Sequence, residues 1–491
     1  MGIADPIFLY LFLPLCVGLY YLMPAKKSLT ARNTLLLAAS LLFYAWGSPA
    51  TLIILLALIF ATWIIGLAVT GRKKTRAGKL LVLAGVVVNV GALFVYKYLD
   101  FTLSNIGILF NREFTSLELE LPLGLSFFCF QAISYVVDIY RGKNTARKNS
   151  LETALYLSLF FKITSGPIMQ YNAFEWQLQG RRSSSGLLFD GLWRFAAGLG
   201  KKIIIATNIA YVTDRTFKLP EADLTITMAW LGSLAYMLQI YYDFSGYSDM
   251  AIGLGKMFGF EMPENFDYPY IATSVTNYWQ RWHITLGNFF RDYMFYPLTL
   301  GPAVKLRKKV LKKHSKKTAK FVQNVFVTLL IWVTTGLWHG ASWNYLIWGL
   351  VNFVFILWEL YRKPLKNKHL DTAFGRGYTL MVSFFTKPLV RSGTLTRAAA
   401  YYGTMFGLNG AIFAVEKDIF YLKEYSFFLI IAVIGCFPWY KAVKERVSMS
   451  DNKKIITFME AAEAVCLFAV LVLSLAYIQK NGTTAFIYQR F

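Results

Sequence analysis

"TLIILLALIFATWIIGLAVT" (residues 51–70) contains no charged side chain, and the basic run "GRKKTRAGK" (71–79) follows it at once. At a rise of about 1.5 Å per residue, an uncharged helix of that length is about 30 Å long, the thickness of a bilayer's hydrocarbon core. Similar apolar runs lie near 7–23, 33–47, 79–97, 121–139 and 151–169. Others lie near 187–212, 224–242, 319–337, 342–361, 401–415, 425–440 and 457–478. Because several hold Gly, Pro or ionisable residues, the pattern predicts roughly ten to thirteen spans. The chain reads as an all-α, polytopic membrane protein.

Composition agrees. A hydrophobic share of 56% and a mean hydropathy of +0.44 exceed what an ordinary soluble enzyme carries. The net charge of +24 does not signal nucleic acid, because its cations sit in short loops between apolar runs. "PAKKSLTARN" follows the first run, "GRKKTRAGK" the third and "YRGKNTARKNS" the fifth, whereas "GSPA" and "REFTSLELE" follow the second and fourth. Alternating loops thus hold the Lys/Arg excess, which predicts an outer N-terminus and cytoplasmic loops at 25–32, 72–79 and 141–150. The first run ends at "YLMPAKK" without a small-residue cleavage pattern and is expected to be a retained span. Cys16, Cys129, Cys436 and Cys466 are scattered through apolar spans without metal-type spacing and read as small core residues. Continuous apolar runs exclude a transmembrane β-barrel.

Residues 1–150 read as a plain helical bundle and 370–491 as plain spans again, whereas polar and glycine-rich signatures interrupt 151–361. Polar groups and broken helices at membrane depth mark sites, so the middle third is where function is expected. Four constellations stand out. In "NYWQRWHITLGNFFRDY" (277–293), one continuous helix would put Asn277, Arg281, Thr285, Asn288 and Asp292 on one stripe. His283, Trp279 and Trp282 would lie opposite, although a break at Gly287 would undo that projection. For His283, a structural and a functional role are both open. "TTGLWHGASWNYLIW" (334–348) sets His339 and Trp338 among Gly336 and Gly340, with Asn344 beyond. A neutral imidazole takes a proton near pH 7, so His339 is the candidate general base; its plain alternative is a helix-junction hydrogen bond. "LQIYYDFSGYSDMAIGLGKMFG" (238–259) puts Gln239, Asp243 and Ser245 inside an apolar span, and Gly166-Pro167 in "KITSGPIMQY" (162–171) should break a helix. Each of these last two is a cavity wall or an internally satisfied bend. The basic run "KLRKKVLKKHSKKTAK" (305–320) belongs on the cytoplasmic face, as a topology anchor or as a dock for an acidic carrier or phosphate-bearing donor. "YRKPLKNKH" (361–369) marks another cytoplasmic loop. The sequence has no Walker A loop, no G-x-S-x-G elbow and no zinc-type histidine pair.

These constellations, in this order, resemble the membrane-bound O-acyltransferase (MBOAT) family, in its bacterial alginate O-acetyltransferase-like branch. The similar segments are "FLYLFLPLCVGLYYL", "RNTLLLAASLLFYAWGSP", "LPLGLSFFCFQAISYVVDIYRG", "SGPIMQYNAF", "LQIYYDFSGYSDMAIGLGKMFGF", "NYWQRWHITLGNFFRDYMFYPL" and "TGLWHGASWNYLIWGL". The chain departs from the branch at "YPLTLGPAVKLRKK", where many members have a glycine pair. The resemblance implies one membrane-embedded domain, 1–491, with a ring of tilted helices and re-entrant segments around a central tunnel. It implies transfer of an acyl group, acetyl first, from a cytoplasmic thioester to a hydroxyl of an extracellular polysaccharide or an extracytoplasmic partner of SGNH-esterase type. Acetyl-CoA is the expected donor, with no bound cofactor or metal. His339 matches the family's catalytic histidine and His283 its second histidine. Asn277, Arg281, Trp282, Trp338, Asn344, Gln239, Asp243 and Ser245 are then candidate substrate or tunnel residues. D-alanyl transfer from a carrier protein to teichoic acid is the rival within the family, and a polysaccharide or lipid flippase the rival outside it. The expected location is a bacterial plasma membrane.

Overall fold

The computed structural model describes residues 1–23, 29–450, 452–482 and 486–487; residues 25–28 of the expected 25–32 loop lie outside it. Among the described residues there is no strand, and a single bridge joins Phe266 to Trp282. Helices dominate because uncharged runs in lipid have no water to satisfy their backbone groups and must bond internally.

The chain packs as two compact units. The first comprises Met1–Ala196, Tyr247–Glu264 and a stretch from Ile478. Within it, α1 (Pro49–Thr70) starts on a proline that needs no donor partner, and α2 (Arg76–Leu93) starts where the Thr75 hydroxyl accepts from the Gly78 amide at 3.0 Å. Both pack on α3 (Leu125–Arg141), which is buried along most of its length. The run at 151–169 is not one unbroken helix. Its helix Ser150–Ser158 breaks at Leu159, resumes as Phe160–Ile163 and ends before Gly166-Pro167, as the proline predicts. Lys162, at this break, is fully buried; it donates to the Gln131 side-chain oxygen and lies 4.4 Å from the Tyr156 ring centroid.

The second unit comprises Ala197–Gly246 and Asn265–Tyr477. Its elements include the first part of α4 (Ile226–Met257), then α5 (Val275–Arg281), α6 (Ile284–Phe290), α7 (Lys316–His339), α8 (Trp343–Glu359) and α9 (Lys368–Arg391). No apolar run marks α9 as a long helix, because charges punctuate its first turns. The expected span at 401–415 stops at Met405, and the run at 425–440 ends at Gly435, after which the chain bends by 51° into Trp439–Ser448. Among the described residues five helices are long and apolar enough to cross a membrane, six if that bent pair counts as one. Their outer faces keep Ile53, Ile108, Phe458 and Val465 largely exposed, a surface that suits lipid and not water. Cys16, Cys129 and Cys436 are core residues as expected, but Cys466 is exposed, because helix Lys453–Asn481 buries little of its surface.

Candidate active site

The stretch 277–293 is not one helix. It breaks at His283, not at Gly287: α5 ends at Arg281, and His283 takes left-handed backbone angles (φ 49°, ψ 50°) before α6 begins. The projected stripe is therefore divided. Arg281 stays with Asn277, its Nε donating to Asn277 Oδ1 at 3.3 Å, and pairs with Asp267 at 2.7 Å. Asp292 pairs instead with neighbouring Arg291 at 3.0 Å. Left-handed geometry is uncommon for a residue with a side chain and persists only where surroundings hold it.

Asn265 supplies that hold. Its Oδ1 accepts from the Thr285 amide at 3.2 Å and the Thr285 hydroxyl at 2.9 Å, and it faces His283 Nδ1 at 3.2 Å. A backbone amide only donates, so the Asn265 atom is its oxygen and Nδ1 of a neutral His283 carries the proton. The ring's lone pair is then on Nε2. The Asn265 carbonyl also accepts from the Ile284 amide at 3.0 Å. His283 is fully enclosed and lies outside the long apolar helices; burial pushes its pKa down to about 3, which keeps it neutral.

His339 closes α7 and is 5% exposed. Its position follows from a backbone-to-backbone crossing of α7 and α8. A side chain on Gly336 would start 2.5 Å from the Tyr345 carbonyl oxygen, and one on Gly349 would start 2.5 Å from the Trp332 carbonyl oxygen. Only hydrogens fit at either position. The crossing wraps the His339 ring with Trp348 (centroids 4.8 Å, edge-on), Tyr345 (6.3 Å, nearly parallel) and Trp338 (4.8 Å).

Trp338 also touches His283, with centroids 5.7 Å apart, so one indole contacts both histidines. A second chain of contacts runs from α5, where Trp279 packs on Trp332 and Trp348 at 5.1 and 5.5 Å and donates to Asn352 Oδ1 at 2.9 Å. On the other side Phe244 of α4 meets the His283 ring edge-on at 4.7 Å. Segments 56 residues apart in sequence, counting from His283 to His339, thus form one aromatic cage.

The remaining candidates divide. Trp282 is buried beside the cage, stacked on Tyr278 at 5.7 Å. Asn344 holds α8 to α9, its amide donating to the Leu389 carbonyl at 2.7 Å. Asp243 has a partner that the sequence did not announce, forming an ion pair with the buried ammonium of Lys202. Lys202 sits on a π-turn, Lys201–Ala206, which carries the chain from helix Ser185–Gly200 into Thr207–Lys218. Gln239 Oε1 and Ser245 Oγ, both on α4, are buried with no hydrogen-bond partner among the described residues. Asn265, Lys202 and Lys387 are the residues sequence reasoning missed. No spacing rule links Asn265 to a histidine 18 residues on. A lysine in an apolar run did offer a signal for the other two. Among the described residues no group of His, Cys, Asp and Glu is placed to hold a metal.

Comparison with known proteins follows this geometry. The sequence model of MBOAT, the membrane-bound O-acyltransferase family, matches residues 146–386, which contain both histidines. The chain is 36% identical over 422 residues to the probable alginate O-acetylase of Pseudomonas putida, covering 83% of this chain and 81% of that protein. It is 30% identical over 436 residues to the peptidoglycan O-acetyltransferase of Helicobacter pylori, covering 82% and 80%. The teichoic acid D-alanyltransferase of Bacillus subtilis is also 30% identical, over a shorter 272 residues that cover 54% of this chain and 65% of that protein.

Proposed function

The chain belongs to the membrane-bound O-acyltransferase family and is a membrane O-acyltransferase, and from that premise we propose that His339 is its general base and acetyl the group it moves. The observation that carries this reading is the cage: the two histidines of the signature segments share Trp338, and glycine contacts fix the ring of His339. The acceptor hydroxyl oxygen attacks the carbonyl carbon of a thioester while His339 takes the hydroxyl proton. The tetrahedral intermediate then expels the thiolate, which recovers the proton from the imidazolium, giving an ester and a free thiol. His283, neutral with its Nδ1 proton directed at Asn265, keeps a lone pair on Nε2 for orienting the acceptor hydroxyl or tuning His339. Trp338 and Trp282 wall the site, whereas Arg281 and Asn277 stand at a more exposed edge.

Acetyl is favoured over D-alanyl because the acetyl-transferring relatives match over more of the chain than the D-alanyltransferase does. The donor on this reading is acetyl-CoA, which reaches the site from the cytoplasm past the exposed cations of 305–320. The acceptor is a hydroxyl of an extracellular polysaccharide, reached directly or through an extracytoplasmic SGNH-esterase-like partner, at a bacterial plasma membrane with the N-terminus outside. The test is transfer of radiolabel from acetyl-CoA by the purified protein and its partner. His339→Ala, folded as judged by size exclusion, is expected to lose at least about a hundredfold in rate. Full activity in that variant would remove His339 from the chemistry, and transfer of D-alanine instead of acetate would change the donor.

A further inference from the structure

Helix α9 brings a cation to the back of the histidine stretch. Lys387 is 7% exposed, and its Nζ stands 5.3 Å from the centroid of the Trp282 ring, the residue immediately before His283. Among the described residues no carboxylate forms an ion pair with it, and acids of the same unit are engaged elsewhere. Asp243 pairs with Lys202, Asp267 with Arg281, Asp371 with Arg362 and Asp214 with Arg391. Four residues before Lys387, on the same face of α9, is Ser383, and Tyr278 of α5 stacks on the Trp282 ring with centroids 5.7 Å apart. The Tyr278 hydroxyl lies near those of Ser383 and Tyr270, yet the Tyr278 and Ser383 oxygens are buried and among the described residues neither reaches hydrogen-bond geometry.

A buried ammonium is costly unless a counter-charge or strong acceptor meets it, and contact with an indole returns only part of that cost. Two buried hydroxyls outside hydrogen-bond geometry add to the deficit. One group answers all three, an oxyanion that accepts from the ammonium and from both hydroxyls. A neutral ligand would satisfy the hydroxyls and leave the charge. We propose that Lys387, Tyr278 and Ser383 form an anion subsite beside the histidine cage, which receives a phosphate of the donor or a carboxylate of the acceptor, with Lys387 as a positioning residue. The proposal rests on the acyl-transfer reading for the identity of the substrates, but its test needs no turnover.

The full-length protein in lipid nanodiscs is titrated with two pairs of probes. One pair is acetyl-CoA and S-acetyl-pantetheine, which share the thioester and differ in the phosphates. The other is a glucuronate oligosaccharide and a glucose oligosaccharide, which differ in the carboxylates. The wild type is expected to prefer the charged member of one pair by roughly tenfold or more. Lys387→Gln should abolish that preference, and Lys387→Arg should keep most of it. Loss in the thioester pair assigns the subsite to the donor, and loss in the sugar pair to the acceptor. The proposal is overturned if the wild type shows no preference in either pair, or if Lys387→Gln keeps it while Lys387→Arg binds normally. Because the titration reads binding and not transfer, failure of the catalytic assignment leaves this result readable.

Discussion

Removing the carboxylate of Asp243 by Asp243→Leu leaves the Lys202 ammonium inside the second unit without its counter-charge. Both side chains are almost fully enclosed, at 2% and 3% exposure. Breaking a buried pair from one side costs about 3–5 kcal/mol, because the surviving charge must shed its proton or remain poorly solvated. Lys202→Met should cost a similar amount. Replacing both, as Asp243→Leu with Lys202→Met, removes both charges and is expected to be neutral or stabilising by roughly 1–4 kcal/mol. The coupling between the two changes should then exceed about 3 kcal/mol, which a double-mutant cycle measures. Unfolding of the purified protein in mixed micelles of mild and denaturing detergent gives the stabilities, and acetyl transfer is followed in parallel. A double variant that is stable and active marks the pair as scaffold. The reasoning is refuted if each single change costs under about 1 kcal/mol, or if the double change costs the sum of the singles. A stable but inactive double variant would return Asp243 to the list of substrate contacts.

Two further changes test how the histidines are held. Gly336→Ala places a methyl group 2.5 Å from the Tyr345 carbonyl oxygen. Overpacking of that kind costs about 1–3 kcal/mol, and the forced separation of α7 and α8 should lower acyl transfer at least about tenfold; a variant with unchanged melting and rate would show that the crossing does not set His339. His283 has its pKa depressed to about 3, so between that value and about 6.5 the unfolded chain binds a proton that the folded one does not. Stability should therefore fall as pH drops below about 6.5, with a slope from this residue of up to about 1.4 kcal/mol per pH unit. His283→Asn, whose side chain tolerates left-handed geometry, should lack that slope, with a stability offset from lost ring contacts that stays constant with pH. Parallel stability curves for the two proteins would contradict it.

The membrane class was legible from residues 51–79 alone, because a bilayer imposes a length and a charge pattern that a linear sequence displays directly. The enclosed position of the histidine in "GLWHGAS" was legible too, since glycines beside it in an apolar run let another helix approach closely. What could not be read was the left-handed break at His283, because nothing in "RWHIT" is a strong breaker and the cause, Asn265, acts through tertiary hydrogen bonds. The Asp243–Lys202 pair was hidden for a related reason: its members lie on different helices and no periodicity links them. The broken helices at 151–169 and 401–415 show the limit of hydropathy, which registers apolar content but not whether a helix runs unbroken through it.

The left-handed turn at His283 also bears on how the enzyme can vary. A histidine codon becomes an asparagine codon by one base change, and asparagine accepts these backbone angles nearly as readily as glycine does. The main chain therefore places almost no barrier against losing the imidazole, whereas a change to leucine or proline, equally close in the code, would strain or break the turn. A lineage that retained histidine here through long divergence would be doing so for its ring, and one that drifted to asparagine would have kept the bend and given up the chemistry.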